Sequence, residues 1–300
     1  MKFLEPFHRA MRRLNSIWKT VGGLSRDAAL MREALGRIEA RQTAAAKASF
    51  AEQEFRVFSQ WGEDGILAHI LRHVKVSRKV FVEFGVETYA EANTRWLVVN
   101  DGWSGLVLDG GEDNIAAIRR DPIYWQHNLK AVQAFITREN INSLISEQGI
   151  AGEIGLLSVD IDGVDYWVWE AITVVQPAIV VAEYNSLLGP ERAVTVPYDP
   201  AFQRAKAHHS HSYYGASLAA LVALGRRRGM AFVGSNTAGN NAFFVRRELL
   251  GGPLRELTAA EGYVRRGFRE ARDADGKLIF PTFEEEAALV NALPWVEVEK

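Results

Sequence analysis

Four clusters of side chains carry the chemistry in this sequence. The run Val80 to Thr94, VFVEFGVETYAEANT, sets Glu83 two residues before Gly85, and GLVLDGG, from Gly105 to Gly111, sets Asp109 directly before Gly110. Each is a short apolar run, rich in β-branched residues, that closes on a carboxylate and bare backbone, the pattern of a strand end. Two consecutive parallel strands ending this way would present acids at the edge where open α/β sheets bind nucleoside-containing ligands. Farther on, Asp160-Ile161-Asp162-Gly163-Val164-Asp165 packs three carboxylates into six residues. Such a group calls for a cation, a proton or a positively charged ligand to compensate it. Glu183, Tyr184 and Asn185 close the next apolar run. Asp160 and Asp162 with Glu183 and Asn185 therefore form one oxygen set that suits a hard divalent cation, Mg2+ or Mn2+. Asp165 equally suits the cap of the helix that follows it. The fourth cluster is His208, His209 and His211 with Tyr213 and Tyr214. Imidazole is the usual general base near neutral pH, and His211 or His208 is the candidate here.

The elements that must position these groups are legible as an alternation of strand and helix from Phe58 onward. Ser59 suits the N-cap of a helix whose apolar face is Ile66, Leu67, Ile70, Leu71 and Val74. After the two opening strands the pattern predicts a helix near 113–120, a strand near 129–135, a helix near 139–147, a strand over 154–160, a helix over 166–174 and a strand over 178–183. Near-continuous apolar runs such as these mark strands buried on both faces of a parallel sheet. Ser217 to Arg228 reads as a helix, and Met230 to Gly234 and Ala242 to Arg246 as strands. Only Ser235 to Asn241 separates the last two, too few residues for a helical crossover, so they should pair antiparallel. The fold class is α/β, doubly wound.

Composition sets the outer bounds. Three hundred residues, 48% of them hydrophobic, can bury one sizeable core. The expected organisation is a basic helical arm over residues 1–50, an α/β domain over 51–250 and a C-terminal extension over 251–300. The arm holds ten Lys and Arg against four Asp and Glu, the remainder 25 against 33. Two amphipathic stretches lie in it, one with Leu14, Ile17 and Trp18 and one with Leu30, Leu35 and Ile38, with Gly22-Gly23 expected to break the helix between them. Membrane-surface binding, homo-oligomerisation and simple packing on the domain all remain open for it. Ala44 to Ala51 reads as the linker. Cysteine is absent, which excludes a disulfide framework, a thiolate zinc site and a cysteine nucleophile. With no apolar run near 20 residues and no signal-peptide pattern, the expected location is cytoplasmic, or peripheral at the inner membrane face. The acidic remainder of the chain excludes nucleic acid as a partner.

The order of EFG after the first strand, an acid after the second, a strand ending Ser-Val-Asp and a terminal antiparallel pair resembles the class I S-adenosylmethionine-dependent methyltransferases. VEFGV, LDGG, DIDGVDYWVWEAI and VVAEYN are similar to the FkbM-type branch, over roughly Phe58 to Arg247. The resemblance implies a Rossmann-like sheet and S-adenosylmethionine as cofactor. It assigns the cofactor's methionine half to Glu83, Gly85 and Asp160, with Asn93 beside them, and the ribose hydroxyls to Asp109 and Gly110. Asp162 or Asp165 would orient or deprotonate an acceptor hydroxyl, and Glu183, Tyr184, Asn185 and Tyr198 would contact the acceptor. FkbM-type proteins often methylate hydroxyls, so a small-molecule or glycan acceptor is implied, including a polysaccharide or a lipid-linked sugar. The family's second glycine is missing, its place filled by Glu87, Thr88, Tyr89 and Ala90.

Two other classes stay in view. LLSVDIDGV also resembles the DxDG strand end of haloacid-dehalogenase-like phosphatases, in which Asp160 would be the nucleophile and Asp162 the general acid. Three strand-helix units precede this one, however, and the later lysine and aspartate pair of that family are not evident. A methyltransferase-like module that binds or assembles without catalysis is the other alternative. A dinucleotide site is excluded by the missing GxGxxG.

Overall fold

The computed structural model describes residues 5–44 and 49–299. Seven strands form the central sheet: β1 (Val80–Phe84), β2 (Ser104–Asp109), β3 (Leu129–Gln133), β4 (Gly152–Val159), β5 (Val175–Glu183), β7 (Met230–Ser235) and β8 (Asn241–Arg246). A separate pair joins β6 (Val194–Thr195) to β9 (Val296–Glu297). The order across the large sheet is β3-β2-β1-β4-β5-β8-β7. β1 to β5 run parallel, and β8 enters antiparallel between β5 and β7. This is the doubly wound, Rossmann-like sheet with a C-terminal antiparallel hairpin that the strand pattern predicts.

Successive strand residues point to opposite faces, and both faces are buried. Val82, Leu108, Leu157 and Val180 pack under helices 141–146, 165–171 and 218–227 through Ile145, Trp169 and Leu221. Phe81, Val107, Leu156 and Ile179 pack under helices 63–73, 95–101 and 112–120 through Ile66, Leu97 and Ile118. The resulting three layers hold the carboxyl ends of β1, β2, β4 and β5 along one edge.

Three sequence expectations about the elements are corrected. The N-terminal helix runs without a break over Glu5–Ala44, straight through Gly22 and Gly23. A helical glycine costs about 1 kcal/mol against alanine, a preference that the good helix formers on either side outweigh. The helix after Phe58 begins at Glu63, behind Gly62, whose φ of 125° suits glycine. Ser59 does not cap it end-on; its hydroxyl accepts from the Asp64 amide at 3.0 Å while Asp64 Oδ2 accepts from the amides of Val57, Phe58 and Ser59. The expected linker lies partly outside the described residues, and its last residues open a short helix, Phe50–Gln53.

The segment after residue 251 is woven into the domain. β9 pairs with β6, the Tyr184 hydroxyl donates to the Val264 carbonyl at 2.8 Å, and the Tyr263 hydroxyl donates to the Ser186 carbonyl at 2.6 Å. Among the described residues no helix is long and apolar enough to cross a membrane.

Candidate active site

The strand order reverses direction between β1 and β4, the switch point outside whose carboxyl ends doubly wound sheets form their ligand crevice. A cavity of about 440 Å³ occupies it. Glu83, Gly85, Asn93, Asp109, Gly110, Asp160, Asp162 and Glu183, all expected from sequence, line this one cavity.

Glu83, one residue before the end of β1, is only 4% exposed. Its Oε1 accepts from the Asn93 amide at 2.8 Å, its Oε2 from the Thr94 amide at 3.2 Å and from the Thr94 hydroxyl. Ser158 at the end of β4 donates to it as well, at 3.3 Å. Glu83 therefore fastens the loop after β1 to its own strand. Burial pushes its pKa up to about 7, against the restraint of those donors.

Gly85 is held at φ +67°, and a Cβ there would lie 1.8 Å from the Asp160 carbonyl oxygen. Glycine is needed because the β1 and β4 loops touch. Where a second glycine was missing from the sequence, Glu87 and Tyr89 take left-handed conformations themselves, at φ 46° and 61°. That strain is tolerable only where neighbours over-determine it. Asp109 Oδ2 accepts from the Glu87 amide at 2.8 Å, and the buried Tyr89 hydroxyl bonds Thr94 Oγ1 at 2.8 Å. Asp109 Oδ1 meanwhile accepts from the Gly111 amide at 2.7 Å and the Asn114 carboxamide at 2.8 Å.

At the other wall, Asp160, Asp162 and Glu183 each bring a carboxylate oxygen within 4.8 Å of the others. Burial, then Asp162 and Asp165, raise the Asp160 pKa; burial, then Asp160, raise that of Glu183. Glu183 is 7% exposed, and its Oε2 has no hydrogen-bond partner. Asn241, its register partner on β8, lines the same cavity and also carries a buried unpartnered oxygen, Oδ1. Two orphaned acceptors side by side are a costly arrangement in a folded protein and call for a donor. Asp162 pairs with Arg204, which also pairs with Glu270 and lies 3.9 Å over the Tyr214 ring. Asp165 accepts from the amides of Ile161 at 2.7 Å and Gly163 at 2.8 Å. It braces the acidic loop from the first turn of its helix and is neither a cap nor a cavity group.

Several expected residues are not brought to this cavity. Tyr184 is buried against Val264, and Asn185 Nδ2 donates to the Ser212 carbonyl at 2.9 Å. The Tyr198 hydroxyl donates to Glu139. His208 Nδ1 bonds Ser210 Oγ at 2.8 Å, and His211 touches the site only through its carbonyl, which accepts from Arg204. Conversely, sequence reasoning missed Arg204, Asn240, Asn241, Phe268 and Glu270. Asn236, Asn240 and Asn241 crowd one short turn, a polar density that could have flagged it; the others carry no local signal. Phe268 stacks on Trp61 with ring centroids 5.3 Å apart and an 18° tilt, roofing the cavity from the C-terminal segment. Below Trp61, Glu63 ties the entry of the helix to the β7–β8 turn through Asn236 at 2.7 Å and Asn241 at 2.9 Å.

No family model matches the chain, and no curated protein matches it. Among solved structures it is similar to the O-methyltransferase from Bacillus cereus in complex with SAH, at 13% identity over 55% of this chain and 72% of that one, TM-score 0.35. It is similar to the pyocyanin biosynthetic protein PhzM at 12% identity over 59% of this chain and 53% of that one, TM-score 0.35. An O-methyltransferase family protein from Burkholderia thailandensis matches at 11% identity over 68% and 57%, TM-score 0.37. The chain thus spans a little over half the length of the last two. Likeness at this level carries no chemistry, which has to come from the residues of the cavity.

Proposed function

We propose that this protein is an S-adenosylmethionine-dependent methyltransferase that acts on a hydroxyl of a small molecule or glycan. The observation that supports it best is the set of strand ends around one crevice: Asp109 at the end of β2 on one side, and the half-buried Asp160 just past β4 with the buried Glu183 at the end of β5 on the other. Asp109 is the acid suited to a ribose diol, by the same physics that places a carboxylate on the ribose of dinucleotides. Opposite it, Asp160, Glu183 and Asn241 form an acceptor-rich wall that fits a group bearing both positive charge and N–H donors. The bound cofactor would supply an electrophilic methyl on a sulfonium.

The acceptor hydroxyl must give up its proton as its oxygen takes the methyl. Burial raises the pKa values of Asp160 and Glu183, as it does that of Glu83, whose oxygens are taken up by the loop after β1; a raised carboxylate is the stronger base, so Asp160 or Glu183 is suited to receive that proton. His208 and His211 do not line the cavity, so the base is assigned to a carboxylate. Eight carboxylates line the cavity against one arginine, itself ion-paired, and no lysine is among the described residues lining it. That field disfavours phosphorylated and other anionic acceptors, and with them the phosphatase reading and nucleic acid. The hydroxyl acceptor rests on the FkbM-type resemblance together with this charge.

Titration calorimetry with S-adenosylmethionine and S-adenosylhomocysteine tests the reading. Micromolar binding of both is expected, and no heat from either at millimolar ligand would overturn it. A second reading has its own support: the 4.8 Å cluster with the orphaned Glu183 oxygen also fits a divalent cation held by Asp160, Asp162 and Glu183. If it holds, Mg2+ or Mn2+ raises the melting temperature of the wild type and not of Glu183→Gln.

A further inference from the structure

The helix Glu5–Ala44 carries an apolar seam that the globular part leaves uncovered. Because Gly22 and Gly23 do not interrupt the helix, the two amphipathic stretches of the sequence share one register. Leu14, Val21, Ala28 and Leu35 recur every seven residues, and Ile17, Leu24, Met31 and Ile38 recur three residues behind them. All eight are exposed, Leu24 by 64%. The opposite side of the helix, at about 100° per residue, is the one that meets the domain. There Gly36 lies against Val57 and Trp96, and the Ala40 carbonyl accepts from Arg72 at 3.3 Å.

We infer that this seam is covered by the same helix of further copies of the chain, in a parallel coiled coil that holds the α/β domains at one end. A two-in-seven repeat sustained over more than three heptads matches the knobs-into-holes spacing of an identical partner. Charge agrees with it. Asp27 borders the seam on one side and, five residues later, Arg32 borders it on the other, its guanidinium also lying 4.5 Å over the Phe58 ring. These are the flanking positions that face each other across a parallel pair. A lipid surface is a poorer fit, because it favours a broad apolar face edged by cations. This seam is edged by Asp27 and Glu39 as well as by cations, and Met11 and Trp18 widen it only toward its N-terminal end. Leucine at the first position with isoleucine at the second, at both ends of the seam, favours more than two strands.

The chain has no cysteine, so single introduced cysteines report on the seam directly. Light scattering of the full chain should give a mass that is a whole multiple, at least twofold, of 33.5 kDa. An Ile17→Glu, Leu24→Glu double variant should fall to 33.5 kDa with its near-ultraviolet circular dichroism unchanged, since neither residue belongs to the domain core. Under mild oxidant Leu24→Cys should cross-link between copies at least tenfold faster than Lys19→Cys, which lies on the outer side of the helix. A wild-type mass of 33.5 kDa at tens of micromolar overturns the inference. So does equal cross-linking at the two positions, or a monomer that sediments with phosphatidylglycerol vesicles, which would put a lipid surface on the seam instead. None of these outcomes depends on whether the cavity binds S-adenosylmethionine.

Discussion

Asp109 accepts from three donors of its own chain and still lines the cavity, so it ties the loops after β1 and β2 together at the point where a ribose would sit. A hydrogen bond to a charged acceptor is worth about 1.5–3 kcal/mol when its partner is lost. Two ribose hydroxyls on one carboxylate then imply that Asp109→Ala weakens S-adenosylhomocysteine binding by about a hundredfold or more. Calorimetry alongside a urea midpoint separates this loss from the accompanying loss of loop support. Glu83 makes a different prediction. Burial lifts its pKa from the ordinary 4.5 to about 7 in the folded protein. Between these values the folded protein keeps a proton that the unfolded chain has released, so stability falls as pH rises through the window. Asp64 and Asp165, each pushed up to about 6 by burial, add to the same slope from the acid side. Urea midpoints should therefore drop from pH 5 to pH 8, and Glu83→Gln should flatten the drop by about 3 kcal/mol. A profile that rises with pH, or is as steep in the variant, contradicts this account.

The loop from Gly85 to Thr94 shows how an element can keep its path while changing its residues. At Gly85 the constraint is contact: an added Cβ would meet the Asp160 carbonyl oxygen of the neighbouring acidic loop at 1.8 Å. Gly85→Ala should therefore cost about 3 kcal/mol or more, from overpacking plus a left-handed alanine, and should abolish cofactor binding by displacing Asp160. At Glu87 the constraint is conformational alone, because its side chain is exposed and its amide carries the bond to Asp109. Glu87→Gly should keep stability within about 1 kcal/mol of wild type, since relieved strain offsets glycine's entropy. Denaturation curves of the two variants discriminate these roles. The difference also marks what could be read from the sequence. Strands β1 to β5 were legible because runs such as GLLSVD are apolar on both faces, and the β7–β8 hairpin because seven residues cannot cross a sheet. The left-handed Glu87 and Tyr89 were not, since their conformation is fixed by side-chain bonds, from Asp109 on the next strand and from Thr94 at the far end of the loop, that no local pattern announces. Gly22-Gly23 misled for the converse reason: a local preference of about 1 kcal/mol per glycine was weighed without the helix around it.

In the whole molecule, the segment after residue 251 was invisible as part of the site because its contribution is entirely long-range. Phe268 and Glu270 reach the cavity from a stretch with no apolar periodicity, held there by contacts 77 to 80 residues apart in sequence, such as Tyr263 to Ser186 and Val264 to Tyr184. The buried Arg266–Glu286 pair, with Ser212 donating to Glu286, and the buried Val290 anchor it further. Ending the chain at Gly251 would remove the partners of Ser212, Tyr184 and β6 together. A lone buried hydroxyl or strand edge costs about 1–3 kcal/mol each. Their sum is comparable to the 5–15 kcal/mol that holds an average domain folded. The truncated chain should accordingly unfold cooperatively below 37 °C or aggregate on expression. Deleting residues 1–48 should leave the melting temperature within a few degrees, because only the last turns of that helix touch the domain. Phe268→Ala keeps the anchors and removes only the ring stacked on Trp61, so it should fold normally and bind cofactor more weakly. Scanning calorimetry of the three proteins, with S-adenosylhomocysteine titrated into those that fold, decides it: a C-terminal truncation that melts like the full chain would make the segment an appendage after all, and the roof over the cavity an accident of packing.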